Sequence, residues 1–146
     1  MDATSLVKIF EETPTEQLSP GIKYKWLFDR HILYVIGDTS HRSDIDAWFQ
    51  FMCTVMGNWP DDITYLAVQD LSSPNFSLTP YARTRATEIY KVRPTLRGRV
   101  AIVMPRSFIG HLLQMFIRTV RGNIFDTRFF LSQGDALVWL AQKLPQ

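Results

Sequence analysis

The stretch that decides the fold runs from residue 127 to residue 140 and reads Thr-Arg-Phe-Phe-Leu-Ser-Gln-Gly-Asp-Ala-Leu-Val-Trp-Leu. Its first part, Thr127–Leu131, is an apolar run of strand length. Ser132 and Asp135 then form a start like a capping box, and apolar residues at helical spacing follow it. The same alternation of apolar strand and amphipathic helix extends back to Ile32, and it predicts an α/β fold.

Upstream of this stretch, residues 63–68 and 100–104 are further apolar runs of strand length. Helices are predicted over residues 44–56, with Ser43 as the N-cap, from Thr79 to just before Pro94, and over 108–121. Between residues 22 and 36 two alternating runs predict an antiparallel hairpin.

Right-handed crossovers make the later strands parallel. The sequence therefore predicts one mixed sheet of about five strands, an N-terminal hairpin followed by parallel β-α units, with four helices. Residues 1–21 are expected to form a mobile lead-in, or a short helix over 6–10. Residues 22–146 are expected to form a single α/β domain.

The composition is that of an ordinary globular domain. The 146 residues are 46% hydrophobic and 21% charged, and the single cysteine, Cys53, excludes an internal disulfide. The chain opens without a basic-then-apolar leader, and no apolar run approaches the length of about 20 residues that a membrane span needs. We therefore expect a cytoplasmic protein with no transmembrane segment.

Charge is distributed unevenly along the chain. Residues 1–82 carry five basic and eleven acidic side chains, whereas residues 83–128 carry ten basic and two acidic ones. This pattern indicates either an anionic partner or an acidic face on a second copy, or simply separate solvated faces. The acidic first half makes nucleic-acid binding an unlikely function.

Three short patterns together carry a family resemblance. They are the hairpin before the first long helix, the run Val68-Gln69-Asp70-Leu71-Ser72 with Phe76 after it, and the closing Phe-Phe…Ala-Leu-x-Trp-Leu. From about Tyr24 to Leu144 the chain resembles the STAS family, and more narrowly its SpoIIAA-like branch of anti-sigma-factor antagonists. The resemblance implies a non-enzymatic regulatory domain that binds a protein partner. It also implies a phosphorylated side chain at the start of the second helix, where this chain has Thr79, with Ser77 nearby.

The carboxyl ends of the parallel strands form the edge at which open α/β sheets bind ligands, and helix N-termini at this edge favour an anion or a phosphorylated side chain. Six residues are candidates for contacting a ligand or partner there. They are Asp38, His41, Asp70, Ser72, Arg83 and Arg106. The alternative is that the serines and Thr79 only cap helices and that Asp70 only ties down its own loop.

The residues at these strand ends do not form a pattern typical of a catalytic or cofactor site. Asp38, His41 and Ser72 or Ser107 are residue types used in acyl transfer, but the Gly-x-Ser-x-Gly nucleophile elbow is missing. The three histidines lack the spacing of metal ligands. We therefore expect a protein that is not an enzyme and that has no cofactor and no metal.

The helix predicted over 108–121 has an unusually wide apolar arc of about 200°, against the stripe of about 100° or slightly more that a surface helix needs. Part of it must be covered by a neighbouring helix, by a protein partner or second copy, or by a lipid-like ligand or membrane surface. The predicted interface residues are Phe108, Met115, Ile117 and Arg118. The alternative function is binding of a small anionic or lipid-like ligand in a CRAL-TRIO-like manner, which requires a cavity.

Overall fold

The computed structural model describes residues 1–108 and 125–145, which form an α/β structure with one mixed sheet of six strands and four α-helices. The elements in chain order are α1 (Ala3–Glu12), β1 (Glu16–Ser19), β2 (Ile22–Leu27), β3 (Ile32–Gly37), α2 (Arg42–Asn58), β4 (Tyr65–Asp70), α3 (Pro80–Glu88), β5 (Gly98–Val103), β6 (Phe125–Phe130) and α4 (Gln133–Ala141). Two short 3-10 turns, Ile89–Lys91 and Arg106–Phe108, follow α3 and β5. The predicted fold class is confirmed.

The strands lie in the sheet in the same order as in the chain. β1, β2 and β3 pair antiparallel, and β3 to β6 pair parallel. The hairpin and the parallel units were both predicted. Three later strands begin two residues away from their predicted positions, at Tyr65, Gly98 and Phe125.

The first 21 residues contain more structure than the sequence predicts. A helix was one of the two expectations for this segment, and α1 is longer than the predicted one. The strand β1, which was not predicted, raises the strand count from about five to six. Leu6 is 0% exposed, because α1 packs against α4 and the sheet. Lys25 of β2 holds the end of the helix by donating from Nζ to the Phe10 carbonyl at 2.7 Å.

The sheet has two covered faces, because side chains alternate along each strand. On the α2–α3 face, sheet residues such as Val35 and Ile102 pack against Met52 and Met56 of α2. On the α1–α4 face, Tyr34, Val68 and Ala101 are among the sheet residues that pack against the two terminal helices.

One glycine is required where β4 meets β5. A Cβ at Gly98 would lie 1.8 Å from the Tyr65 carbonyl oxygen, so no other residue allows this close approach of the two chains. The backbone of Tyr65 cannot move away without breaking the parallel pairing of β4 with β5. The first residue of β5, Gly98, must therefore be a glycine.

Two of the four predicted helix starts are confirmed. Thr79 Oγ1 accepts from the Ala82 N–H at 3.1 Å, and Ser132 Oγ accepts from the Asp135 N–H at 3.2 Å. The prediction that Ser43 caps α2 is wrong, because α2 begins at Arg42 and its N-cap is His41. His41 makes no side-chain capping bond.

The predicted helix over 108–121 lies outside the described residues, apart from the turn that ends at Phe108. The predicted interface positions Met115, Ile117 and Arg118 lie outside them as well, as does the side chain of Phe108. Among the helices that the structure does describe, none combines the length and apolar character needed to cross a membrane.

Candidate functional site

The ends of β3 and β4 bring two polar loops together at the carboxyl edge of the sheet. Ile36 of β3 pairs with Asp70 of β4, so the loops that follow these strands start side by side. Ser73 Oγ then donates to the Asp38 carbonyl at 3.0 Å, which joins the loop before α2 to the loop before α3. Two of the six candidates for this edge, Asp38 and Asp70, therefore lie on adjacent segments.

Both carboxylate oxygens of Asp70 accept hydrogen bonds from neighbouring residues. Its Oδ2 accepts from the Tyr34 hydroxyl at 2.5 Å, and its Oδ1 accepts from the N–H and the hydroxyl of Ser72 at 3.0 and 2.5 Å. Burial raises the pKa of Tyr34 well above its usual value, and the nearby Asp70 charge raises it further, so the phenol stays a donor. These bonds fit the alternative in which Asp70 ties down its own loop.

The same contacts differ from those of a catalytic triad. Ser72 donates straight to Asp70, whereas acyl transfer needs a histidine between the acid and the serine. Asp38 is paired with Lys23 at 3.3 Å, and His41 is exposed at the start of α2. Among the described residues, no group of histidine, cysteine, aspartate and glutamate side chains could hold a metal ion.

The two predicted phospho-acceptors have different environments. Thr79 is half-buried, and its hydroxyl accepts the capping bond from Ala82. Ser77 is exposed, its N–H donates to Ser40 Oγ at 3.1 Å, and the two hydroxyl oxygens lie 3.3 Å apart. Ser40 directly precedes His41, the N-cap of α2, so Ser77 lies beside the start of α2 and three residues before α3. Ser77 is therefore the more accessible acceptor.

A stacked group of charged and aromatic side chains joins α2 to α3 next to this pair. The Arg42 guanidinium lies 4.2 Å from the centre of the Tyr81 ring, and the Tyr81 hydroxyl donates to Asp46. Arg85 donates to the Tyr81 hydroxyl at 3.2 Å and stacks 4.3 Å from the centre of the Phe49 ring. We call these five residues the α2–α3 clasp.

Sequence reasoning missed the α2–α3 clasp. The spacing of Tyr81 and Arg85 on one helix is a visible signal, since residues four apart share a face. The contact with Asp46 joins positions 35 residues apart, and no local pattern marks it. Two predicted site residues lie on other segments. Arg83 is half-buried on α3, and Arg106 is exposed in the turn after β5.

An apolar cavity of about 80 Å³ lies between the sheet, α2 and α3. It ends at the loop before α3, where Phe76 and Leu78 both line it. Pockets for drug-sized ligands usually span about 300–1,000 Å³. A lipid-like ligand would not fit this cavity.

A larger polar cleft of about 530 Å³ opens at the opposite edge of the sheet. Arg93 lines it, but its guanidinium is already bonded to the carbonyls of Met56 and Trp59 and to Asp61. Its other charged lining residues are of both signs, so the cleft does not present a uniformly positive surface to an anion. They are Arg97, Arg99, Lys143, Asp61, Asp62 and Asp126.

Comparisons with protein-family models, with curated proteins and with solved structures find no match for this chain. The resemblance to the STAS family stays a prediction.

Proposed function

We propose that this chain is a non-enzymatic, STAS-like interaction domain that binds a protein partner or a second copy of itself. The binding surface is the carboxyl edge of the sheet together with α3 and the predicted helix over 108–121, and it reaches the start of α2 through Ser40. Phosphorylation of Ser77 regulates that surface.

The observation that carries the proposal is the position of the Ser40–Ser77 pair. An exposed hydroxyl lies where the start of α2 meets the loop into α3, and the cap of α3 is formed by Thr79 instead. Ser77 can therefore change its charge without removing the cap that starts α3. A regulatory acceptor needs this independence, because its modification should alter a surface and leave the fold intact.

The surroundings of Ser77 favour a large electrostatic effect. A phosphoserine carries about −1.5 to −2 charges at pH 7 and three acceptor oxygens. Ser40, the hydrogen-bond partner of Ser77, directly precedes the first turn of α2, where the exposed Arg42 and the helix N–H groups attract an anion. A phosphate on Ser77 would draw these groups toward itself and away from a partner.

The test uses the full chain and its self-association, measured by analytical ultracentrifugation over a range of concentrations. We expect the wild-type protein to form a dimer and Ser77→Glu to weaken that dimer by at least tenfold. Ser77→Ala should associate like the wild type. Thr54→Glu is the matched control, because it adds the same charge at an exposed position toward the other end of α2.

A folded monomer at every concentration would exclude the self-association part of the proposal. If Ser77→Glu and Thr54→Glu weaken the dimer equally, a specific role for Ser77 is excluded. Circular dichroism of each variant separates these results from a loss of folding.

The predicted interface at Phe108, Met115, Ile117 and Arg118 belongs to the same proposal. The variant Phe108→Asp should leave the domain folded and abolish its association. The second function predicted from the sequence, binding of a small anionic or lipid-like ligand, stays a prediction, although the apolar cavity of about 80 Å³ is too small for a lipid-like ligand.

A further inference from the structure

We infer that the cavity beneath α3 is a binding site for a compact, uncharged, apolar molecule of a few heavy atoms. This inference concerns a different surface from the proposed partner edge and does not rest on it. It follows from the volume of the cavity, the residues that line it and the way in which its polar groups are paired.

Small side chains on α3 create the cavity. α3 lines the cavity with the small side chains of Ala82 and Ala86. α2 lines it with the much larger side chains of Trp48, Met52 and Met56. On the sheet side the lining includes branched residues, Val35, Val100 and Ile102 among them. The space under α3 thus corresponds to side-chain volume that the two alanines leave unfilled.

The lining gives water few partners. The polar side chains that line it are Gln69, Trp48, Tyr65 and Tyr90. Gln69 Oε1 already accepts from the Trp48 indole N–H at 3.0 Å, and its Nε2 lies 3.7 Å from the Met52 sulfur. Tyr65 and Tyr90 also have interaction partners. Among the described residues, the buried side-chain nitrogen or oxygen without a partner is Trp139 Nε1, which lies on the α1–α4 face. A water molecule needs two to four polar partners, so the cavity should stay dry.

The volume limits the class of ligand. An apolar cavity of about 150 Å³ stays dry and binds benzene or xenon. The cavity beneath α3 is about 80 Å³, which suits a single xenon atom or a very small hydrocarbon group. The Phe76 ring closes the carboxyl end by lying against Gly37, where an added Cβ would come within 2.8 Å of the ring.

Xenon is the probe for the test, and the readout is the methyl NMR spectrum of the full chain under increasing xenon pressure. We expect saturable shifts for the methyl groups of Ile45, Met52 and Ile102, which line the cavity. The methyl groups of Leu6 and Leu137 on the α1–α4 face should not shift. Shifts of similar size on both faces, or none that saturate, would overturn the inference.

A pair of variants tests the position of the site. Ala86→Leu places a larger side chain into the cavity and should abolish the saturable shifts. Ala141→Leu, on α4 and the opposite face, should retain them. Retention of xenon binding by folded Ala86→Leu would overturn the inference. If this variant does not fold, the wild-type shifts on the two faces still test whether xenon binds beneath α3.

Discussion

The terminal helices α1 and α4 are held by different means from α3, which lies on the opposite face of the sheet. On the α1–α4 face the helices insert large apolar side chains into the core, among them Leu6, Leu137 and Leu140, all fully buried. On the α2–α3 face, α3 buries a single residue, Ala82, and the helix is attached through its cap and the α2–α3 clasp. One sheet thus supports a filled layer and an underfilled one, and the cavity lies in the second.

This difference determines how each helix should respond to a change of charge. Apolar burial stabilises a helix without depending on charge, whereas the polar contacts of α3 respond to a nearby charge. The exposed Ser77 lies next to the helix that is held mainly by polar contacts. We therefore attribute the attachment of α1 and α4 mainly to apolar burial, and the regulation proposed for Ser77 would act on α3, which depends more on polar contacts.

The largest effect is expected for a truncation on the filled face. Leu6→Ala should lower the free energy of unfolding by about 3 kcal/mol, because it removes a fully buried side chain and leaves a void. Urea denaturation measures this loss. Lys8→Ala, at an exposed position of the same helix, should change the stability by less than about 0.5 kcal/mol. Equal small losses would mean that α1 does not contribute to the core.

A smaller effect is expected at Asp44, the polar anchor of α2. Its carboxylate is 1% exposed and accepts from Ser19 Oγ, the Gly21 N–H and Thr39 Oγ1 at 2.7–2.9 Å. Asp44→Asn should cost about 2 kcal/mol at pH 7, since hydrogen bonds to a charged group are stronger than neutral ones. Asp62→Asn, at an exposed position, is the control.

The loss at Asp44 should depend on pH. Burial alone would raise the pKa of this carboxyl, but the hydrogen bonds from Ser19, Thr39 and Gly21 outweigh it and hold the pKa below its usual value. The stabilisation is therefore complete above the unfolded-state pKa of about 3.9, and it is lost as the pH falls through the folded-state pKa. Denaturation curves of the wild type and Asp44→Asn should converge at acid pH, and a constant gap would contradict this account.

Much of the fold could be predicted from local patterns in the sequence. The cap at Ser132, the proline after Thr79 and the apolar runs of the parallel strands all act through neighbours in the chain. The strand β1 escaped prediction because four residues, two of them exposed, carry little alternation. It pairs with β2 through backbone bonds, which depend little on which side chains the strand carries.

The capping of α2 shows why a correct local rule can still fail. Ser43 is a favourable N-cap residue and would start the helix at Asp44, yet α2 begins two residues earlier, at Arg42. Asp44 turns inward to bind the segment around Ser19 and Gly21, more than 20 residues upstream. A contact across that distance overrides the local preference, and nothing in the local pattern shows it.

The candidate site was predicted in outline and not in detail. Parallel strand order alone places Asp38 and Asp70 at one edge, because carboxyl ends of parallel strands meet there. Either Ser77 or Thr79 could cap α3, depending on which hydroxyl accepts from the Ala82 N–H. Only the structure shows that Thr79 accepts this bond. The cavity was equally hidden, since it arises from small residues on α3 that face large ones elsewhere.

The most direct test of the contrast between the two faces makes one substitution on each. We would measure the free energy of unfolding of Ala86→Leu, which faces the cavity, and of Ala136→Leu, which is fully buried on α4. We expect Ala86→Leu to stabilise the protein by about 1 kcal/mol by filling empty space. Ala136→Leu should destabilise it by about 1–3 kcal/mol by overpacking. Similar destabilisation by both would show that the two faces are equally filled and would contradict the account.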